Sequence, residues 1–203
     1  MRYNDRQMLT ILKPVAEKVL QPVGRALINV NPNVISLLGL IFPVLFFICV
    51  MQGWYLAALV TFVFIAVDML DGMVARASGR VTAFGGFLDS TIDRFADFTV
   101  IAVFGFAGIV GWNIVMPLLL LSFLISYIRS RTELAAKGNL VAAVGLVERT
   151  ERLIVIFLAL LLYMLFQNTT LRGLNLAEIA FIALTVLSAY TVGQRVLFAY
   201  KKL

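Results

Sequence analysis

The sequence predicts an all-α, polytopic membrane protein, and three observations predict it. The 203-residue chain is 62% hydrophobic and 14% charged, with a mean hydropathy of +0.98. Ordinary soluble domains carry about a quarter charged residues, so this chain has more apolar surface than a soluble core could bury. Apolar runs of spanning length recur along it, and backbone inside hydrocarbon must satisfy its own hydrogen bonds, which favours helices. The basic residues fall at alternate turns, as expected of a chain that crosses a membrane repeatedly.

Residues 1–27 hold Arg2, Arg6, Lys13, Lys18 and Arg25, with Met8, Leu12, Val15, Val19 and Val23 at helical spacing between them. This pattern predicts an amphipathic helix in the headgroup region. No short apolar stretch follows the basic start, so no secretory leader is expected. The remainder, 28–203, reads as a six-helix transmembrane core, and 1–203 as a single domain. Asn31-Pro32-Asn33 opens span one, 34–51, with proline suited to a helix start. Gln52-Gly53-Trp54 separates it from span two, 55–78, which Gly79 would cap. Spans three to six are expected at 83–110, 114–136, 148–167 and 175–200, with a Gly111-Trp112-Asn113 turn between three and four.

Of the 17 basic residues, only Arg172 falls on the far side of this layout. The positive-inside rule therefore puts both termini, and any site at that end, on the cytoplasmic face of the cell membrane. The formal charge of +6 follows membrane boundaries rather than a binding patch, so no nucleic-acid partner is expected. The one cysteine, Cys49, lies in an apolar run and reads as a filler, with no disulfide framework. There is no histidine, so acid–base or metal chemistry must use carboxylates.

Five carboxylates stand inside two of the apolar segments: Asp68, Asp71, Asp89, Asp93 and Asp97. One Asp at the bilayer centre costs about 2.5–3.5 kcal/mol, so several must be compensated. Asp68 and Asp71 are three apart, Asp89 and Asp93 four apart, so each pair shares one face of its helix. A short turn at 79–82 would bring the pairs together. Four carboxylates without nitrogen or sulfur ligands suit Mg²⁺ or Mn²⁺, and two such ions suit displacement at phosphorus. The plainer alternative is pairing with Arg76, Arg80 and Arg94, or a proton or ion path. Gly72, Gly85 and Gly86 either allow close helix packing or clear room for a nucleotide.

The run Asp68-Met69-Leu70-Asp71-Gly72-Met73-Val74-Ala75-Arg76, then Gly85-Gly86-Phe87-Leu88-Asp89-Ser90-Thr91-Ile92-Asp93, resembles the CDP-alcohol phosphotransferase signature. Every fixed position of D-x2-D-G-x2-A-R-x8-G-x3-D-x3-D is matched over 68–93, and the six-span layout resembles the family as well. The resemblance implies transfer of a phosphoalcohol unit from a CDP-alcohol to a hydroxyl, with release of CMP. It implies that Asp68, Asp71, Asp89 and Asp93 hold two metal ions, and that Asp93 is the general base. It implies that Gly72, Ala75, Arg76, Thr82 and Gly85 bind the CDP-lipid, with Asn31, Pro32, Asn33 and Val34 closing over the cytidine. For that last stretch a plain helix start is the alternative reading. Asp97 lies outside the signature and reads as a partner for arginine or for the site residues. A homodimer is also implied, with spans three and four as its candidate surface.

Arg129, Arg131, Arg149, Arg152 and Arg195 sit at the basic ends of spans four to six. Topology alone could place them there, but guanidinium groups also match a phosphorylated acceptor. The stretches 126–131 and 147–153 resemble those of phosphatidylinositol phosphate and archaetidylinositol phosphate synthases, which implies inositol 1-phosphate as acceptor and CDP-diacylglycerol or CDP-archaeol as donor. One departure is Arg129, where lysine is common in that subfamily. Glycerol 3-phosphate is the alternative acceptor. Rival classes are a cation or proton carrier and a lipid-binding module. A carrier should show inverted repeats, and these five aspartates belong to a single helix pair.

Overall fold

The structure is a computed structural model and describes residues 37–66, 82–137, 140–142, 144–167, 169–171 and 173–203. The expected helix over 1–27 lies outside the described residues, as does the Gly79 cap. So do Asn31, Pro32, Asn33, Val34, Asp68, Asp71, Gly72, Ala75 and Arg76. The described elements are α1 (Ile41–Met51), α2 (Tyr55–Ala66), α3 (Ala83–Phe106), α4 (Trp112–Ala135), α5 (Arg149–Leu165), β1 (Thr170–Leu171), β2 (Leu174–Asn175) and α6 (Leu176–Lys202). Each expected apolar segment overlaps one of these helices, with α4 starting two residues before the expected 114–136 and α6 ending two residues beyond the expected 175–200. The fold is mostly helical, and α4 and α6 are each long and apolar enough to cross a membrane. At a 1.5 Å rise per residue they extend for about 36 and 40 Å.

The chain divides into two compact units. Among the described residues, the first holds 37–40 and 82–92, the second 41–66 and 93–203, so α3 begins in one and ends in the other. In the first unit Thr82 caps α3: its Oγ1 accepts from the Gly85 backbone N–H at 3.0 Å. Phe84 and Phe87 pair their rings at 6.2 Å.

In the second unit α1 packs on α2, α2 on α5, α5 on α6 and α6 on α4. Phe46, Phe62, Phe104, Leu118, Ile156 and Phe181 are fully buried where these helices meet. Ring pairs lock the contacts, with Phe46 edge-on to Phe62 at 5.3 Å and Phe104 against Phe181 at 4.6 Å. Large apolar side chains also point outward, among them Leu56, Val60, Met116, Leu120, Val186 and Leu197. An outer surface of that kind requires apolar surroundings.

Glycine sets two helix ends. After α1, Gly53 takes φ +73, Trp54 N–H reaches Cys49 C=O at 2.8 Å, and Gly53 N–H reaches Val50 C=O at 3.0 Å. Gly108, at φ +68, ends α3 the same way, with Ile109 N–H on Phe104 C=O at 2.9 Å. The turn between α3 and α4 therefore falls at 107–111, and α3 stops at Phe106 rather than at 110 as the sequence suggests. The link between α5 and α6 holds a feature the apolar pattern does not announce. It forms an antiparallel ribbon pairing Thr170 with Asn175 and Leu171 with Leu174. Asn175 then caps α6 through Glu178 N–H at 2.9 Å, and its Nδ2 donates to Ile109 C=O at 2.7 Å.

Gly145, at φ +139, lies where a Cβ would stand 2.6 Å from Thr191 Cγ2. Gly145→Ala combines a backbone conformation hostile to L residues with a clash, and should cost about 2 kcal/mol or more. Thermal unfolding in detergent, against the wild-type protein, measures it.

Candidate active site

α3 carries Asp89, Asp93 and Asp97 at four-residue intervals, one helical turn apart each time. Asp89 and Asp93 are partly buried, whereas Asp97 is buried. Facing Asp93 and Asp97 is the first turn of α5, whose Arg149 and Arg152 share one face by their spacing of three. Arg149 Nη1 meets Asp93 Oδ1 at 2.6 Å, and its Nε meets Asp97 Oδ1 at 3.4 Å. Arg152 Nη2 donates to Asp97 Oδ2 at 2.5 Å. Arg94 Nη2 lies 3.5 Å from Asp93 Oδ2 and 3.8 Å from Asp97 Oδ2. Of these groups Arg152 is the most deeply placed, at 1% exposure.

The α5 turn is itself held in place. Glu148 N–H donates to Glu151 Oε2 at 3.1 Å, tightening the helix start. Upstream, the segment before α5 is strapped to α6. Val147 N–H donates to Thr191 Oγ1 at 3.1 Å, and Leu146 N–H to Gln194 Oε1 at 3.2 Å. Arg195 gathers three elements: Nε donates to Val144 C=O at 2.7 Å, Nη1 to Ile125 C=O at 2.5 Å, and Nη2 pairs with Glu148 Oε1 at 3.4 Å. On α4, Arg129 Nε bonds Glu133 Oε1 at 3.1 Å, and that oxygen also accepts Ala142 N–H at 3.1 Å.

The arginines expected to receive an acceptor phosphate thus divide by their surroundings. Arg149 and Arg152 converge on the α3 carboxylates. Arg195 is instead engaged by Glu148 and two backbone carbonyls, and Arg129 by Glu133. Arg131 is exposed and stands two residues from Arg129, so the two project from different sides of α4. Thr82 and Gly85 meet each other through the α3 cap.

Sequence reasoning missed Glu133 and Glu148 as the partners that orient these arginines. The spacing of four between Arg129 and Glu133 was the available signal. Nothing in the sequence announces the Arg195 contacts with Ile125 and Val144, since both acceptors are backbone carbonyls brought in by folding.

The described carboxylates at this end of α3 offer only hard oxygen donors, and the chain has no histidine. Among the described residues no group of three or more potential metal ligands gathers, Asp68 and Asp71 lying outside them. Carboxylates such as Asp89 and Asp93 have the donor chemistry that Mg²⁺ or Mn²⁺ takes.

An aspartate-bearing helix thus stands against an arginine-bearing helix end, in a fold whose outer surfaces are apolar. The family model of CDP-alcohol phosphatidyltransferases matches residues 29–192, and the chain belongs to that family. It is a transferase of phospholipid biosynthesis and a membrane protein. Archaetidylinositol phosphate synthase of Pyrococcus horikoshii is 36% identical over 199 residues, 97% of this chain and 98% of that one. Phosphatidylinositol phosphate synthase of Cutibacterium acnes is 41% identical over 155 residues, 70% of this chain and 72% of that one. The crystal structure of phosphatidylinositol phosphate synthase from Mycobacterium tuberculosis with CDP-DAG bound has a TM-score of 0.76 and 27% identity, covering 90% of this chain and 94% of that one. The same enzyme in complex with manganese and citrate also has a TM-score of 0.76 and 27% identity, with 88% of each chain covered.

Replacing Arg195 by Met would remove its bonds to the Val144 and Ile125 carbonyls and to Glu148 in low-dielectric surroundings. Arg195→Met should lower stability by about 3 kcal/mol, read from denaturant unfolding in detergent micelles.

Proposed function

We propose that this protein transfers the phosphatidyl or archaetidyl group of a CDP-lipid to inositol 1-phosphate and releases CMP. The observation that carries the reading is the 2.6 Å contact between Asp93 Oδ1 and Arg149 Nη1. A carboxylate able to take a proton stands beside a cation able to bind phosphate. An acceptor with both a hydroxyl and a phosphate needs that pair, and a plain alcohol needs only the carboxylate. Inositol 1-phosphate and glycerol 3-phosphate both meet that requirement, and the names of the relatives favour the inositol acceptor.

In this reading Asp93 takes the proton of an inositol hydroxyl, and that oxygen bonds to the lipid-side phosphorus. The bond from that phosphorus to the CMP oxygen breaks in line, and CMP leaves with the electron pair. Arg129, Arg131, Arg149, Arg152 and Arg195 supply the positive charge that draws the acceptor phosphate, and Arg149 and Arg152 bind it directly, Arg149 exchanging part of its contact with Asp93 for that phosphate. Asn31, Pro32, Asn33, Val34, Gly72, Ala75, Arg76, Thr82 and Gly85 hold the CDP-lipid. Asp68, Asp71, Asp89 and Asp93 would hold two Mg²⁺ ions, or Mn²⁺, which neutralise charge on the diphosphate and the departing CMP.

The whole chain acts as one domain: an interfacial helix over 1–27 and six membrane-spanning helices over 28–203, with both termini and the active site cytoplasmic. Phe95, Phe98 and Phe123, exposed on α3 and α4, suit the contact surface of a homodimer.

The test is CMP release by purified protein with Mg²⁺ and CDP-lipid, comparing inositol 1-phosphate with glycerol 3-phosphate. Turnover with the inositol acceptor alone is expected, and turnover only with glycerol 3-phosphate overturns the acceptor. Asp93→Asn should lower turnover by about a hundredfold or more while the protein still unfolds cooperatively, because a general base contributes on that scale. A chelator should abolish CMP release and added Mg²⁺ should restore it, measured in the same assay.

A further inference from the structure

The proposed chemistry uses every carboxylate on the site-facing side of α3 except Asp97. That side chain is 5% exposed, four residues beyond Asp93, and three arginines close on it. Its Oδ2 takes Arg152 Nη2 at 2.5 Å and lies 3.8 Å from Arg94 Nη2, while its Oδ1 takes Arg149 Nε at 3.4 Å. We propose that Asp97 is the positioning residue of the acceptor site: it grips Arg152 and the Nε edge of Arg149, and so aims their remaining N–H groups at the acceptor's phosphate. The proposal rests on the functional reading above and deepens it.

Stability alone does not account for this carboxylate. A buried ion pair costs desolvation that its attraction barely repays, and apolar residues of the same volume usually hold a core as well or better. Within a membrane protein the cost rises further. What a carboxylate supplies and Leu or Met cannot is direction. A guanidinium is planar and rigid, so fixing its Nε and tilt fixes where its terminal nitrogens point. Arg149 is held in this way, Nε on Asp97 and Nη1 toward Asp93.

The charges point to an anion as well. Among the described residues, Arg94, Arg149 and Arg152 outnumber Asp93 and Asp97 in this cluster. Arg152 Nη1 is buried without a hydrogen-bond partner among the described residues, and so is Arg94 Nε. A phosphate that reached the α5 end of the cluster would balance the charge and give Arg152 a second acceptor.

The experiment uses the full-length protein with Asp97→Asn and Asp97→Glu. KM is measured separately for inositol 1-phosphate and for CDP-lipid, and protection against thermal unfolding is titrated with inorganic phosphate. Asp97→Asn should raise the acceptor KM by about tenfold or more, leave the CDP-lipid KM within about twofold, and weaken phosphate protection by a similar factor. Asp97→Glu keeps the charge and displaces both guanidinium groups, so it should shift the acceptor KM in the same direction with less loss of stability. A purely structural role would move neither the KM ratio nor the phosphate titration. Unchanged acceptor KM and phosphate affinity in a folded variant overturn the proposal, as does an equal rise in both KM values. If neither variant folds, Asp97 is a stability residue and the proposal falls. A wild-type protein that ignores inositol 1-phosphate would overturn the functional reading, and the phosphate titration would still decide the role of Asp97.

Discussion

Arg152 and Asp97 are buried charges in a chain with few places to put a charge, and their 2.5 Å contact constrains the elements around it. Breaking such a pair from one side leaves an uncompensated ion, a cost of about 3–5 kcal/mol. Neither α3 nor α5 can therefore slide or rotate far without a penalty comparable to much of a domain's net stability. Apolar packing by itself tolerates rearrangement as long as volume is conserved. The ion pair removes that freedom at one place, where α3 carries its carboxylates and α5 begins.

The same restriction reaches outward from the pair. Arg149 lies one turn before Arg152, so a fixed Arg152 also fixes the approach of Arg149 to Asp93. The chain that delivers α5 is tied to α6 by Thr191, Gln194 and Arg195, each bonding a backbone group of the 144–147 segment. Thr191 both accepts from Val147 N–H and donates to Leu187 C=O at 2.9 Å, which leaves its hydroxyl no orientational choice. Backbone groups that would be costly to leave unpaired in an apolar setting are thus satisfied by side chains of one neighbouring helix.

The outer and inner faces of the helices do different work. Inside, interlocked aromatic rings such as Phe46 with Phe62 and Phe104 with Phe181 set helix spacing through shape. Outside, apolar side chains meet surroundings as apolar as themselves, so they contribute little to which helix packs on which. Specificity of packing then falls to shape, to the few polar groups, and to glycines that let a chain turn sharply, as Gly53 and Gly108 do.

Much of this was legible in the sequence. Composition and apolar runs gave the helical membrane class, and the aspartate spacing on α3 gave a row of carboxylates on one face, because both follow from local periodicity. Helix ends were less legible: Gly108 stops α3 four residues short of the apolar run's end, since a left-handed cap overrides hydropathy. The ribbon at 170–175 carries no apolar period and was not foreseen. Which arginine meets which carboxylate was decided by tertiary structure alone. Asp97 and Arg152 are 55 residues apart, and Arg195 and Ile125 are 70 apart. A sequence states that a charge must be compensated; only the packed register of the helices decides the partner, because the register sets the distance and the distance sets the energy.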